Sequence, residues 1–206
     1  MRTGSAVGVS LVMAVLLAGP RMLWAEGFAD IGVGGAITQN AQITTENNGN
    51  RAEGRAHFAD SVTVGGRIGY WFEGAPLLGV AGTVSYYQPG ASGSTAKTEV
   101  VPLTLLAMAR WPVLESNEFP NGRLQPYVGV GPGFFITDVS APGFSDTSKE
   151  AGLDVRAGVH WLFTSHVGSF VEYRLTHVGT TFRDQGERVE TSLTTHHFLT
   201  GMAYHF

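Results

Sequence analysis

From position 28 to the end of the chain, large apolar residues alternate with small or polar ones at a period of two. The alternation falls into eight stretches, 28–38, 60–72, 76–88, 98–111, 123–137, 150–163, 166–178 and 192–206, bounded by clusters of Gly, Pro, Asn and Ser. No helical period is sustained anywhere in this region. The stretches run 11–15 residues, against about 5–6 for an ordinary strand and about 9–11 for a strand that crosses a bilayer at a tilt near 45°. The pattern predicts eight long antiparallel strands, each able to span a membrane with some overhang.

The connections alternate as well. Segments 39–59, 89–97, 138–149 and 179–191 are long and polar, whereas 73–75 and 164–165 are tight turns. Bacterial barrels divide long outer loops from short periplasmic turns in this way. Segment 112–122 falls on the turn side and is longer than a turn requires. An even strand count puts both termini on the periplasmic side. The predicted fold is all-β, an eight-stranded antiparallel up-and-down transmembrane barrel.

Alternation alone fits a soluble barrel with an apolar interior as well as a membrane barrel with an apolar exterior. The composition of the two faces separates them. In 60–72 one face reads Val62, Val64, Gly66, Ile68, Tyr70, Phe72 and the other Ser61, Thr63, Gly65, Arg67, Gly69, Trp71. In 150–163 the corresponding faces are Leu153, Val155, Ala157, Val159, Trp161, Phe163 and Gly152, Asp154, Arg156, Gly158, His160, Leu162. The polar face is small as well as charged, which suits the narrow, side-chain-filled interior of an eight-stranded barrel. Aromatics also gather where strands end on the periplasmic side. Tyr70, Phe72, Trp111, Trp161, Phe163 and Tyr204 are expected to form the girdle at the boundary of hydrocarbon and head groups.

Composition and charge narrow the reading further. Charged residues make up 15% of the 206, below the roughly 25% of an average soluble domain. A net charge of −4 without any Lys/Arg run gives no footprint for nucleic acid. The absence of Cys removes thiol nucleophiles, disulfides and thiolate metal sites. The opening stretch carries Arg2, an apolar run from Ala6 to Ala18, the breaker pair Gly19-Pro20 and a small residue at Ala25. This is the layout of a secretory signal peptide over 1–25, leaving a barrel domain over 26–206.

With this facing, the lumen receives Asp30, Arg67, Arg110, Asp154, Arg156, His160, Glu172, Arg174, His197 and His205. A turn centred near Thr164 would set Arg156 against Glu172 and Asp154 against Arg174. The alternative register would oppose Arg156 to Arg174, which is unfavourable for like charges. Arg67, Asp154, Arg156, Glu172 and Arg174 are therefore expected to form a charge network that plugs the lumen. The other reading of the same residues is a narrow or gated water path.

The stretches "PYVGVGPGFF", "FVEYRLTHV" and "HHFLTGMAYHF" resemble the outer-membrane β-barrel domain family, related to the OmpA-type transmembrane barrel of Gram-negative bacteria. The resemblance implies a barrel set in outer-membrane lipid and lipopolysaccharide. It also implies insertion by the barrel-assembly machinery, which reads a final strand ending in an aromatic. Phe206 matches that position, with Tyr204, Met202 and Phe198 on the same outward face. The periplasmic tether domain of two-domain relatives is expected to be missing after Phe206.

Enzymatic chemistry is not expected. A related lipid A deacylase places Ser two residues after its catalytic His, where His177 is followed by Gly179. Ser192 and Thr181 are the nearest hydroxyl candidates, and no carboxylate orients His177. His196 and His197 sit on opposite faces of one strand and do not form a metal pair. His160 and His205 lack a third ligand, so neither a metal nor a cofactor is expected. The expected role is structural or surface-interacting through the outer loops, with an extracellular partner left open. The alternatives are a small pore or carrier for apolar molecules and a lipid A-modifying enzyme.

Overall fold

The computed structural model describes residues 26–39, 41–47, 50–56, 58–91, 97–141, 144–184 and 187–206. The expected signal peptide at 1–25 lies outside them. Eight long strands follow one another: β1 (Glu26–Thr38), β2 (Ser61–Phe72), β3 (Ala75–Tyr87), β4 (Lys97–Arg110), β5 (Leu124–Ala141), β6 (Phe144–Leu162), β7 (Val167–Asp184) and β8 (Glu187–His205). Each pairs antiparallel with the next, and β1 returns to β8 from Phe28↔His205 to Thr38↔Thr195. The cylinder is closed, as hydrocarbon demands, because lipid offers no partner for the amides of an open edge. The closing seam runs to the last residue. Gly27 and Phe206 exchange both backbone hydrogen bonds, at 2.8 and 2.9 Å. The Phe206 ring lies over Gly27, where an added Cβ would stand 2.3 Å from a ring carbon.

The period of two sets which way each side chain faces. Ile31, Val62, Val171 and Leu105 are each at least 60% exposed, while Asp154, His160 and His197 are fully buried. This inversion of a soluble core is what an apolar solvent selects, and the leucines and valines of the strands cover the outside. Proline interrupts the ladder at two places. Pairing of β3 with β4 skips from Val84↔Leu103 to Tyr87↔Val100, beside Pro102. Pairing of β4 with β5 skips from Thr104↔Gly133 to Ala107↔Val130, beside Pro132. In each case the imide nitrogen has no hydrogen to contribute.

Two features depart from the sequence reading. Segments 138–149 and 179–191, expected as polar loops, continue as paired hairpins up to Phe144↔Ala141 and Asp184↔Glu187. No apolar alternation marks these extensions, because outside the membrane a ladder needs no lipid-facing side. A further hairpin, Ala41–Asn47 with Asn50–Ala56, adds to β8 from Thr191↔Ile43 to Arg188↔Glu46.

Candidate functional site: the filled lumen

The β6–β7 register is the one that the sequence reading disfavoured. Arg156 lies opposite Arg174, Gly158 opposite Glu172 and Asp154 opposite Thr176. The expected pairs Arg156–Glu172 and Asp154–Arg174 are therefore not directly opposite one another. The turn explains the shift. The Phe163 and Thr164 amides both donate to the Val167 carbonyl, at 2.8 and 3.1 Å. The Thr164 hydroxyl accepts from the amides of His166 and Val167. The turn is thus centred on Ser165, one residue later than Thr164, and this moves every β7 partner of a given β6 residue two positions on, as in Leu162↔Gly168.

The like charges are reconciled by length. Arg156 donates to both Asp154 oxygens through Nε and Nη2, at 3.0 and 2.9 Å. Arg174 donates to the same carboxylate through Nε at 3.0 Å. One aspartate therefore stands between the two guanidiniums. Arg156 continues to Glu172 Oε1 at 3.3 Å and across the lumen to Thr83 on β3 at 2.8 Å. Arg174 reaches Ser85, also on β3, at 2.6 Å.

Arg67 repeats the arrangement one level nearer the chain ends. It donates to Asp30 through Nε at 2.7 Å, to Glu172 Oε2 at 2.7 Å and to the Tyr127 hydroxyl at 3.0 Å. Tyr127 in turn donates to Glu172 at 2.8 Å. The Arg67 guanidinium also lies 4.7 Å from the centre of the Tyr127 ring, a contact that favours a desolvated cation. Three carboxylates, Asp30, Asp154 and Glu172, so balance three guanidiniums, each of the six no more than 6% exposed. All five residues expected in a charge network meet in it, and Asp30, Tyr127, Thr83 and Ser85 join them.

Above and below, apolar clusters share the lumen with buried polar side chains, Thr137, Thr195 and His197 among them on one side and Arg110, Gln125 and His205 on the other. Toward the outer hairpins, Ala36, Tyr87, Val100, Phe135, Val178 and Leu193 form a buried cluster. Toward the chain ends lies a second cluster containing Phe28, Trp71, Leu106, Met108 and Tyr127. Between the clusters, the charged belt keeps a residual cavity of about 20 Å³ bordered by Asp30, Ser85 and Arg174. That is room for about one water.

The long connection 111–123 accounts for its own length. It leaves β4, makes a bridge between Val113 and Leu124, and folds over the mouth that carries Glu26 and Phe206. Asn121 donates to Glu26 on β1 at 2.9 Å, the Leu162 amide on β6 donates to the Arg123 carbonyl at 2.9 Å, and Arg123 Nε donates back to the Leu162 carbonyl at 3.2 Å. Phe119 is buried beneath it. Below this strap, Glu26 also receives Arg110 at 2.5 Å and contacts His205 at 2.6 Å. Asn121, Arg110 and Glu26 thereby tie the β4–β5 hairpin to β1 on the far side of the barrel. Nothing in the residue pattern of 112–122 announced this; only its excess length did.

The remaining candidates sit on the outside. Tyr70, Phe72, Trp111, Trp161, Phe163 and Tyr204 are all 38–52% exposed. His177 is exposed and contacts the Thr194 hydroxyl at 2.8 Å, while the side chain of Thr181 lies outside the described residues. His196 contacts Tyr173 at 2.6 Å on the outer wall, while His197 faces inward against Thr176 at 3.2 Å. The His160 and His205 rings approach to 5.4 Å. Among the described residues, no three acidic or histidine side chains converge on a metal geometry.

A comparison with curated proteins finds no match. Among solved structures, the fold is similar to the outer membrane protein OprG of Pseudomonas aeruginosa, with a TM-score of 0.67 and 15% identity over 89% of this chain and 96% of that one. It is also similar to the outer membrane protein AlkL, solved in DMPC lipid bilayers, with a TM-score of 0.56 and 17% identity over 89% of this chain and 90% of that one. The outer membrane protein beta-barrel domain matches residues 9–206, and the chain, a closed barrel of eight strands with an apolar exterior, belongs to that family.

Proposed function

We propose that this outer-membrane protein is a sealed barrel that anchors a surface-exposed platform, and that its lumen conducts nothing. The observation that carries this reading is the arginine network. Arg67, Arg156 and Arg174 bridge facing walls with no member more than 6% exposed. A buried charge stripped of its partner costs about 3–5 kcal/mol, so a paired network resists opening.

In this reading the mouth closed by the strap faces the periplasm, and the exposed aromatics from Tyr70 to Tyr204 lie at that interface. Phe206 serves as the signal read by the assembly machinery. Lipid and lipopolysaccharide surround the wall, and β5 to β8 carry their hairpins outward to a partner. His177 contacts head groups and does not catalyse. Among the described residues, no carboxylate joins its contact with Thr194 to make it a base. Expression of the protein then leaves lipid A mass unchanged, and a mass loss abolished by His177→Ala would contradict this.

The test of the sealed lumen is conductance in planar bilayers. The expected result is a flat baseline under applied voltage. Sustained current steps that change in Arg67 or Arg156 variants would instead establish a pore. A second reading, a carrier for apolar molecules, is favoured by the buried cluster of Tyr87, Val100, Phe135, Val178 and Leu193 above the charges. Uptake of an apolar fluorescent probe, lost in Phe135→Asp with the barrel still folded, would select it.

A further inference from the structure

Strands β6 and β7 pair without a break from Leu162↔Gly168 to Gly152↔Val178 and then separate. Both run on beyond the fork. β6 continues against β5 from Ala151↔Phe134 to Phe144↔Ala141. β7 continues against β8 from Gly179↔Ser192 to Asp184↔Glu187. From this level outward, each hairpin has one edge in a ladder and one edge that no described strand covers. Along such an edge, every second residue presents its N–H and C=O sideways, which makes a template for another strand.

The base of the fork is tight and its flank is open. A Cβ on Gly152 would stand 2.5 Å from the His177 carbonyl oxygen, whereas one on Gly179 would meet nothing within 4 Å. The edge of β6 from Thr147 to Ala151 offers five residues, about 17 Å of strand at roughly 3.4 Å per residue. Thr147, Lys149 and Ala151 are exposed along it, while Ser148 turns inward and is buried.

The molecule itself shows what such an edge accepts. The other edge of β8 is covered by Ala41–Asn47, "AQITTEN", through four antiparallel pairs from Thr191↔Ile43 to Arg188↔Glu46. A polar, Thr-rich extended segment therefore already lies as an added strand on the outer part of this sheet. We infer that the fork between β6 and β7 is a docking site for an extended polar segment of another polypeptide, which adds as a strand along Thr147–Ala151 or along Gly179–Asp184. Lys149 would favour a segment with an acidic residue. This rests on the proposed surface role and names the place and partner class for it.

The test uses the full barrel in nanodiscs and a synthetic peptide AQITTEN carrying a photoreactive group at its centre. Cross-links are expected within 147–151 or 179–184, and they should fall at least tenfold with the same peptide N-methylated at alternate residues. Strand addition needs those amides, whereas side-chain contact does not. Cross-links confined to 187–191, links between two barrels in place of peptide, equal yield from the N-methylated peptide, or no link at peptide excess would each overturn the inference. Conductance recorded on the same preparation separates the two proposals. A silent barrel that takes no peptide refutes only the docking site, and a conducting barrel that takes it refutes only the sealed lumen.

Discussion

Along β6, Asp154, Arg156 and His160 are buried among partners from other walls of the barrel. A few residues outward on the same strand, Thr147 and Lys149 are exposed, and the backbone there is paired to β5 alone. The two regions share a strand, a partner strand and a continuous ladder. They differ in what crosses the interior. In the middle, guanidiniums reach from β6 and β7 to β3, so displacing one strand disturbs several others. In the outer hairpins, β6 is paired to β5 and β7 to β8, and the two no longer pair with each other. Rigidity in this barrel thus follows the long side chains that cross it, and the hydrogen-bonded wall alone supplies less of it.

The largest effect is expected at the shared carboxylate. Asp154→Ala leaves Arg156 facing Arg174 without the anion between them, and the account expects a loss of about 3–5 kcal/mol in urea unfolding from lipid vesicles. Replacing Asp154 and Arg174 together with apolar residues of similar volume should recover most of that loss, since Arg67 and Arg156 then still balance Asp30 and Glu172. If the double variant stayed as unstable as Asp154→Ala, packing and not charge would be the cause.

Val64→Arg, on the outer wall of β2, comes next, at about 2–4 kcal/mol by the same measurement. A neutral result there would mean that the outward face does not meet hydrocarbon. Asn121→Ala removes one hydrogen bond between the strap and Glu26, for a loss of about 1 kcal/mol and faster amide exchange at Leu124 and Leu162. Thr147→Ala, on an outer hairpin, should stay within about 0.5 kcal/mol. An effect there as large as at Asp154 would erase the distinction between the regions.

The residues reveal these regions unevenly. In the membrane, lipid on one side and a narrow lumen on the other force strict alternation, so strand number, facing and the inward charges could be read from Val62 to Phe72 and from Leu153 to Phe163. Outside the membrane that constraint is gone. The extensions through Val139 and Thr147 carry mixed polar residues and look like loops, although the backbone pairs.

The β6–β7 register was misjudged for a different reason. Opposed arginines look repulsive when only the facing pair is considered. Their side chains are long enough to share Asp154 and to reach Thr83 and Ser85, which belong to another hairpin. Such contacts depend on closure of the barrel and have no signature within either strand. The strap is similar, since Asn121 and Glu26 lie 95 positions apart and meet only once the mouth has formed.

The most direct test of the central claim is proton exchange of the arginine side chains themselves, by NMR of the protein in nanodiscs. Sealed inside paired carboxylates, the Nε–H protons of Arg67, Arg156 and Arg174 should exchange with water at least a hundredfold more slowly than that of Arg123 at the mouth. Exchange at the same rate as Arg123 would show that water runs freely past all three, and the lumen would then be an open path.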